Sequence, residues 1–216
     1  MDTHKQGKSN RLIFLSIVGI PVTIVLAATW LWYFVARGDL DLVSILGTAN
    51  NGSLVQPPRL LDESKLVMPG GAVVSELSSQ WTFLIPGGAS CDKKCEQLLY
   101  LTRQIHQAMG KNLARIRRFY VTDTAVADTG FKVVQLSDER PAPAEFSQYL
   151  ALEQRGLTTF TVSGENHAAL FTEYSSNPTT WYLVDPAGWI MMSYNSDVSY
   201  KDIMADLNFL LKNSSE

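Results

Sequence analysis

The spacing of apolar and polar positions divides the chain into two parts. From Leu12 to Ala36, 25 residues pass without a charged side chain. A helix needs about 20 apolar residues to cross the hydrocarbon core of a bilayer, so the stretch predicts a transmembrane helix over 12–36. It exceeds the roughly 7–15 apolar residues of a cleavable signal peptide and is expected to stay attached. Trp30, Trp32 and Tyr33 fall at the outer interface, where amphipathic rings settle, while Gly19 and Pro21 are ordinary in a membrane helix.

Beyond the span the apolar runs are short and their period alternates. Gln80–Pro86 (QWTFLIP) reads as a buried strand. Asp92–Met109 places Leu98, Leu101, Ile105 and Ala108/Met109 at helical spacing, with Gly110 as a left-handed stop. Ile116–Val121 is the next strand. A second helix is expected from Pro143 at its first position to Arg155, with Gly156 just past its end, before the strand Thr159–Val162. Thr180–Val184 and Trp189–Tyr194 flank the turn sequence Asp185-Pro-Ala-Gly188 and predict a hairpin. A last helix opens at Ser199, with Asp202 completing a capping pair and Ile203, Leu207 and Leu210/Leu211 on one face. The order β-α-β-α-β-β-β-α predicts one α/β domain from Arg59 to Glu216. Gly38–Pro58, rich in Gly, Asn, Ser and Pro, reads as a linker.

Charge orients this plan. Lys5, Lys8 and Arg11 precede the span, whereas Asp39 and Asp41 soon follow the lone Arg37, so residues 1–11 are expected in the cytoplasm and the domain in the periplasm, outside the inner membrane. After Arg37 the chain carries 14 bases against 20 acids, a net charge of −6, which argues against a nucleic-acid partner.

The candidate chemistry lies at Cys91-Asp-Lys-Lys-Cys95, between the first strand and the first helix, with the chain's 2 cysteines. On a first helical turn, residues four apart share a face, close enough for a disulfide or for two thiolates to clamp a soft metal. The helix N-terminus, Lys93 and Lys94 favour thiolates, which both chemistries require. A structural disulfide, common outside the cytoplasm, is the alternative.

Trp81-Thr-Phe-Leu-Ile85, the Cys91-x-x-x-Cys95 spacing and Tyr182-Leu-Val-Asp-Pro-Ala-Gly188 together resemble the SCO/SenC proteins over roughly Leu66–Leu211. The resemblance implies a thioredoxin-like domain, a central mixed sheet flanked by helices, tethered to the membrane by its N-terminal helix. It implies a role in cytochrome c oxidase assembly, with an oxidase subunit or assembly factor as partner. In that family two cysteines and a histidine bind copper; here the histidine's position is Asn177, and Asp92 and Lys93 stand where the cysteine loop has its usual proline. Pro178, directly before an apolar strand, resembles the cis-proline of thioredoxins that packs against the dithiol. The redox reading makes Cys91 the attacking thiol and Cys95 the resolving one, with Pro178 beside them. The Cu(I) reading makes Cys91 and Cys95 ligands, with His167 from a Ser163–His167 loop as a candidate third. In a third reading the domain only docks.

The remaining conspicuous residues have plain explanations. His106 lies about three helical turns from Cys95, too far to share an ion. Arg115, Arg117 and Arg118 read as a solvated strand edge. Trp181, Trp189, Met191 and Met192 read as core, since adjacent methionines in a strand point to opposite faces.

Overall fold

A computed structural model of the chain describes residues 3–36, 50–62, 65–72 and 80–214. The chain forms two units, Met1–Ala49 and Asn50–Glu216. The first contains one helix, α1 (Thr3–Ala36). Its stretch Leu15–Phe34 is 20 residues long with mean hydropathy 2.0, sufficient by length and composition to cross a membrane. Thr23 Oγ1 donates to the Gly19 and Ile20 carbonyls at 3.0 and 2.9 Å, and Thr29 Oγ1 to the Val25 carbonyl at 2.8 Å. These hydroxyls are thereby satisfied within the helix, as an apolar surrounding demands. The expected linker residues 37–49 lie outside the described residues.

The second unit is built on β1 (Ser53–Leu60), β2 (Trp81–Pro86), β4 (Ile116–Thr122), β6 (Leu157–Thr161), β7 (Trp181–Val184) and β8 (Trp189–Tyr194), in sheet order β1-β8-β7-β2-β4-β6. β3 (Ser90–Cys91) and β5 (Gly130–Phe131) form a separate parallel pair. Helices α2 (Lys93–Ala108), α3 (Phe146–Glu153), α4 (Gly164–Leu170), α5 (Thr172–Ser176) and α6 (Tyr200–Asn213) complete the unit. β2, β4 and β6 run parallel and β7 and β8 antiparallel, giving the mixed sheet that was expected.

Strand alternation divides the core between the two faces of the sheet. Phe83, Ile85, Tyr120, Trp181 and Leu183 pack on one face with Leu98, Leu99, Ile105, Phe146, Ile203 and Leu207 from α2, α3 and α6. Their neighbours Leu84, Phe119, Val121, Tyr182 and Val184 pack on the other with Val55, Leu66 and Phe171. All six residues of β2 are buried, as expected of a strand covered on both faces.

Several expectations are corrected. Ser53–Pro58, assigned to the linker, belong to β1, which pairs antiparallel with β8. Pro57 and Pro58 lack the N–H a central strand needs and are tolerated because β1 is an edge. Asn51 and Gly52 lie inside the same unit: both backbone N–H groups donate to the Asp206 carboxylate at 2.9–3.0 Å. α3 starts at Phe146, three residues after Pro143. Arg118 is no solvated edge: β4 lies inside the sheet and Arg118 is 1% exposed. Its guanidinium donates to the Leu99 carbonyl at 3.1 Å, Thr102 Oγ1 at 3.3 Å and Gln154 Oε1 at 2.7 Å, while burial lowers its pKa to about 10. It therefore stays charged at neutral pH. Trp181 and Met192 are core as expected, but Trp189 is 43% exposed.

The turn residues act as expected. Gly110 has φ +55° after α2 and Gly188 φ +92° in the hairpin. The Asp185 carbonyl accepts from Gly188 N–H at 3.0 Å, and its Oδ1 accepts from Ala187 and Trp189 N–H at 2.9 and 2.8 Å. Ser199 Oγ accepts from Asp202 N–H at 3.2 Å and donates to Asp202 Oδ2 at 2.6 Å.

Candidate functional site

The cysteine segment follows directly from the C-terminal end of β2. Gly87 N–H donates to the Val121 carbonyl at 2.8 Å, continuing the β2–β4 pairing by one residue. The chain then enters β3, where Cys91 pairs with Phe131 of β5 and its carbonyl accepts from Lys132 N–H at 2.9 Å. Asp92 has extended backbone and caps α2, its Oδ1 accepting from Lys94 and Cys95 N–H at 3.0 and 3.1 Å. An aspartate at this position satisfies amide donors that no helical carbonyl reaches. Asp92 therefore has a defined task within the cysteine segment.

The cap sets the spacing of the sulfurs. Cys91 precedes the capping residue and Cys95 is the third residue of α2, so their Cα atoms are 5.1 Å apart and the two form a disulfide. This separation is within the ordinary disulfide range. The two sulfurs differ in environment: Cys91 is 0% exposed and belongs to the core under α2, whereas Cys95 is partly exposed.

The charges beside the pair are arranged differently from expectation. Lys93 Nζ is committed to Glu96 Oε2 at 3.0 Å and to the Gln135 carbonyl at 3.0 Å. Glu96 is 1% exposed and also accepts from Ser137 N–H at 2.9 Å and Ser137 Oγ at 2.6 Å. Lys93 thus compensates a buried carboxylate and ties α2 to the segment after β5. Lys94 is the exposed ammonium next to Cys95.

Pro178 does not form a cis-proline segment. Among the described residues the cis peptide is Gln56–Pro57. Asn177-Pro-Thr-Thr180 is a tight turn: the Asn177 carbonyl accepts from Thr180 N–H at 3.0 Å, and Asn177 Oδ1 accepts from Thr179 N–H and Oγ1 at 3.1 and 2.7 Å. Asn at the first position and Pro at the second is the composition of a trans β-turn; a cis proline would stand third. The turn still borders the site, because Thr179 and Ser196 line a shallow groove with Lys94, Gln97, Leu98 and Leu101 of α2.

His167 belongs to α4, not to a loop. Ser163 caps that helix through Asn166 N–H at 3.3 Å, and the imidazole packs edge-on against Phe171 with centroids 4.8 Å apart. Burial lowers its pKa, opposed by the Asp123 carboxylate and by the Gly87 and Val121 carbonyls. His106 sits at the far end of α2, its Nε2 2.9 Å from the Ile116 carbonyl. Among the described residues no three His, Cys, Asp or Glu side chains gather as a metal site. With both sulfurs bonded to each other, the described residues do not form the three-donor set expected for copper.

Sequence reasoning missed Glu96 and Tyr120. Glu96 is acidic in a first helical turn, a position that favours carboxylates, but its partner Ser137 is remote in sequence. Tyr120 is 0% exposed and lies against Gly87; burial holds its pKa far above the usual phenol value.

A mixed sheet with helices on both faces, a disulfide at the junction of a parallel strand's exit with the following helix, and an apolar N-terminal helix define a membrane-anchored thioredoxin-like protein. The chain belongs to the family described as transmembrane-like, thioredoxin-like, C-terminal domain, whose model matches residues 81–214. Among solved structures, yeast Sco1 with copper bound is 15% identical, with TM-score 0.52 over 78% of this chain and 97% of that one. A second yeast Sco1 structure is 14% identical, with TM-score 0.54 over 75% and 99%. Apo Sco1 from Thermus thermophilus is 17% identical, with TM-score 0.51 over 76% and 98%. The expected SCO-like thioredoxin fold is thus met. Comparison with curated proteins gives no match.

Proposed function

We propose that this protein is a membrane-anchored accessory factor of cytochrome c oxidase biogenesis that acts by thiol–disulfide exchange through Cys91 and Cys95. The observation that carries the reading is a disulfide between a fully buried Cys91 and a partly exposed Cys95 at the edge of the core, placed where β2 gives way to α2. A bridge closing so short a loop gains little chain entropy, which favours a working pair over a structural clamp. The oxidase pathway rests on the SCO-like motifs together with the SCO-like fold. The N-terminus lies in the cytoplasm and the domain in the periplasm, where disulfides persist.

Replacing both cysteines with serine in the native host tests this reading. Exchange predicts that oxidase activity in membranes falls while the protein itself still accumulates. Undiminished oxidase maturation supports the docking reading instead.

A second reading, carriage of Cu(I), is favoured by one observation: the same fold in yeast Sco1 has been solved with copper bound. It requires reduction of the pair and a donor from outside the set that this structure brings together. Anaerobic Cu(I) titration of the reduced full chain against a competing chelator separates the two. Tight 1:1 binding lost in Cys91→Ser supports carriage, and its absence supports exchange.

A further inference from the structure

We infer that Cys95, not Cys91, is the sulfur through which a partner enters and leaves. This rests on the exchange reading and assigns its order. Thiol–disulfide exchange requires an attacking thiolate to reach the sulfur it displaces, so access decides between otherwise equivalent atoms. Cys91 is 0% exposed and belongs to the core cluster with Leu98, Leu99 and Tyr149, against which Phe131 also packs. Its backbone is pinned on the β3–β5 ladder, with Lys132 N–H on the Cys91 carbonyl and Gly130 N–H on the Ala89 carbonyl, each at 2.9 Å. With the backbone so held, a partner reaches the Cys91 sulfur only if the core around it opens. Cys95 packs against the edge of the same cluster but is partly exposed, beside the exposed Lys94, and is reached with less movement. Proximity to the start of the helix had suggested Cys91; burial reverses that order.

When the disulfide oxidises a partner dithiol, a partner thiolate attacks Cys95 Sγ. A bond forms between the partner sulfur and Cys95, the Cys91–Cys95 bond breaks, and its electron pair leaves on Cys91 as a thiolate. The partner's second thiolate then attacks the partner sulfur of the mixed disulfide, forming the partner disulfide and releasing Cys95 as a thiolate. Two electrons pass from the partner to the pair, and the partner's two thiol protons pass to solvent or to the new thiolates. In the opposite direction Cys95 thiolate attacks a partner disulfide and Cys91 resolves it. By microscopic reversibility both directions share one intermediate, the mixed disulfide on Cys95.

The test uses the oxidised full chain in detergent with reduced glutathione as the probe, quenched in acid and mapped by peptide mass. Glutathione is expected on Cys95 in at least about tenfold excess over Cys91. The single variants give an independent reading with oxidised glutathione. Reduced Cys91→Ser should form its adduct at least about tenfold faster than reduced Cys95→Ser until denaturant equalises them. Glutathione mainly on Cys91, or equal rates in the folded variants, overturns the order and leaves exchange standing. Adducts that form on neither sulfur until the chain is unfolded overturn the exchange reading and the order with it.

Discussion

The phenol ring of Tyr120 occupies the space that a side chain on Gly87 would need. A Cβ built on Gly87 would stand 2.0 Å from both Cζ and Oη of Tyr120. Gly87 is the last residue held by the β2–β4 pairing before the cysteine segment, and Tyr120 is a buried core ring. Gly87→Ala is therefore expected to cost about 1–3 kcal/mol through overpacking. Urea unfolding of the full chain checks this, and a Tyr120→Leu background should recover part of the cost in a double-mutant cycle.

Asp206 joins the start of the domain to its last helix. It is 6% exposed, and its carboxylate accepts from Asn51 N–H at 2.9 and 3.0 Å, Asn51 Nδ2 at 2.9 Å, Gly52 N–H at 2.9 Å and Tyr194 Oη at 3.2 Å. Asp206→Ala leaves these donors without their acceptor in the interior and is expected to destabilise by about 2–4 kcal/mol. Thermal melts of the variant check the cost. Hydrogen exchange at β1 should rise before that at β2, because the lost bonds anchor the residues leading into β1.

The sequence was legible where a period ran long enough to identify an element. β2, α2, β7, β8 and α6 all follow from apolar spacing and turn residues, because the helices bury one apolar face and the strands are short apolar runs closed by turns. β1 was missed because it is a half-exposed edge carrying Pro57 and Pro58, with neither alternation nor an apolar run. Arg118 was misread because its partners Leu99, Thr102 and Gln154 lie on elements remote in sequence. Within the site, the cysteine spacing and Asn177-Pro178 were both visible. The burial of Cys91 was not, since it depends on a two-residue pairing with Gly130–Phe131 that has no local signature.

Acid should weaken the junction between α3 and α2. The Glu153 carboxyl is held below its usual value, first by its hydrogen bond from Arg140 and further by Arg103, against an opposing effect of burial. Its distances to Arg140 and Arg103 are 2.6 and 3.2 Å. A carboxylate with a depressed native pKa adds stability that is present above the unfolded-state value, about 4.3 for glutamate. That stability is lost as pH falls through the native value, because the unfolded chain binds the proton first. The melting temperature is therefore expected to decline below about pH 4.5, and Glu153→Gln should flatten that part of the decline. An unchanged slope in the variant would assign the acid sensitivity elsewhere.

Exchange requires the domain to survive reduction of its disulfide, which gives the sharpest stability prediction. The bridge joins residues 4 apart, and the chain-entropy relation for so short a loop gives about 2 kcal/mol. The connections that hold the segment without the bridge are substantial. They are the Asp92 cap on Lys94 and Cys95 N–H, the Lys132 bond to the Cys91 carbonyl, and the Lys93–Glu96–Ser137 tie. Reduction is therefore expected to leave far-ultraviolet circular dichroism at 25 °C nearly unchanged and to lower the melting temperature by roughly 4–8 °C. Melts of the full chain with and without dithiothreitol check this. A reduced chain that unfolds at room temperature would make the bridge a structural clamp, since a protein that loses its fold on accepting electrons cannot return for a second cycle.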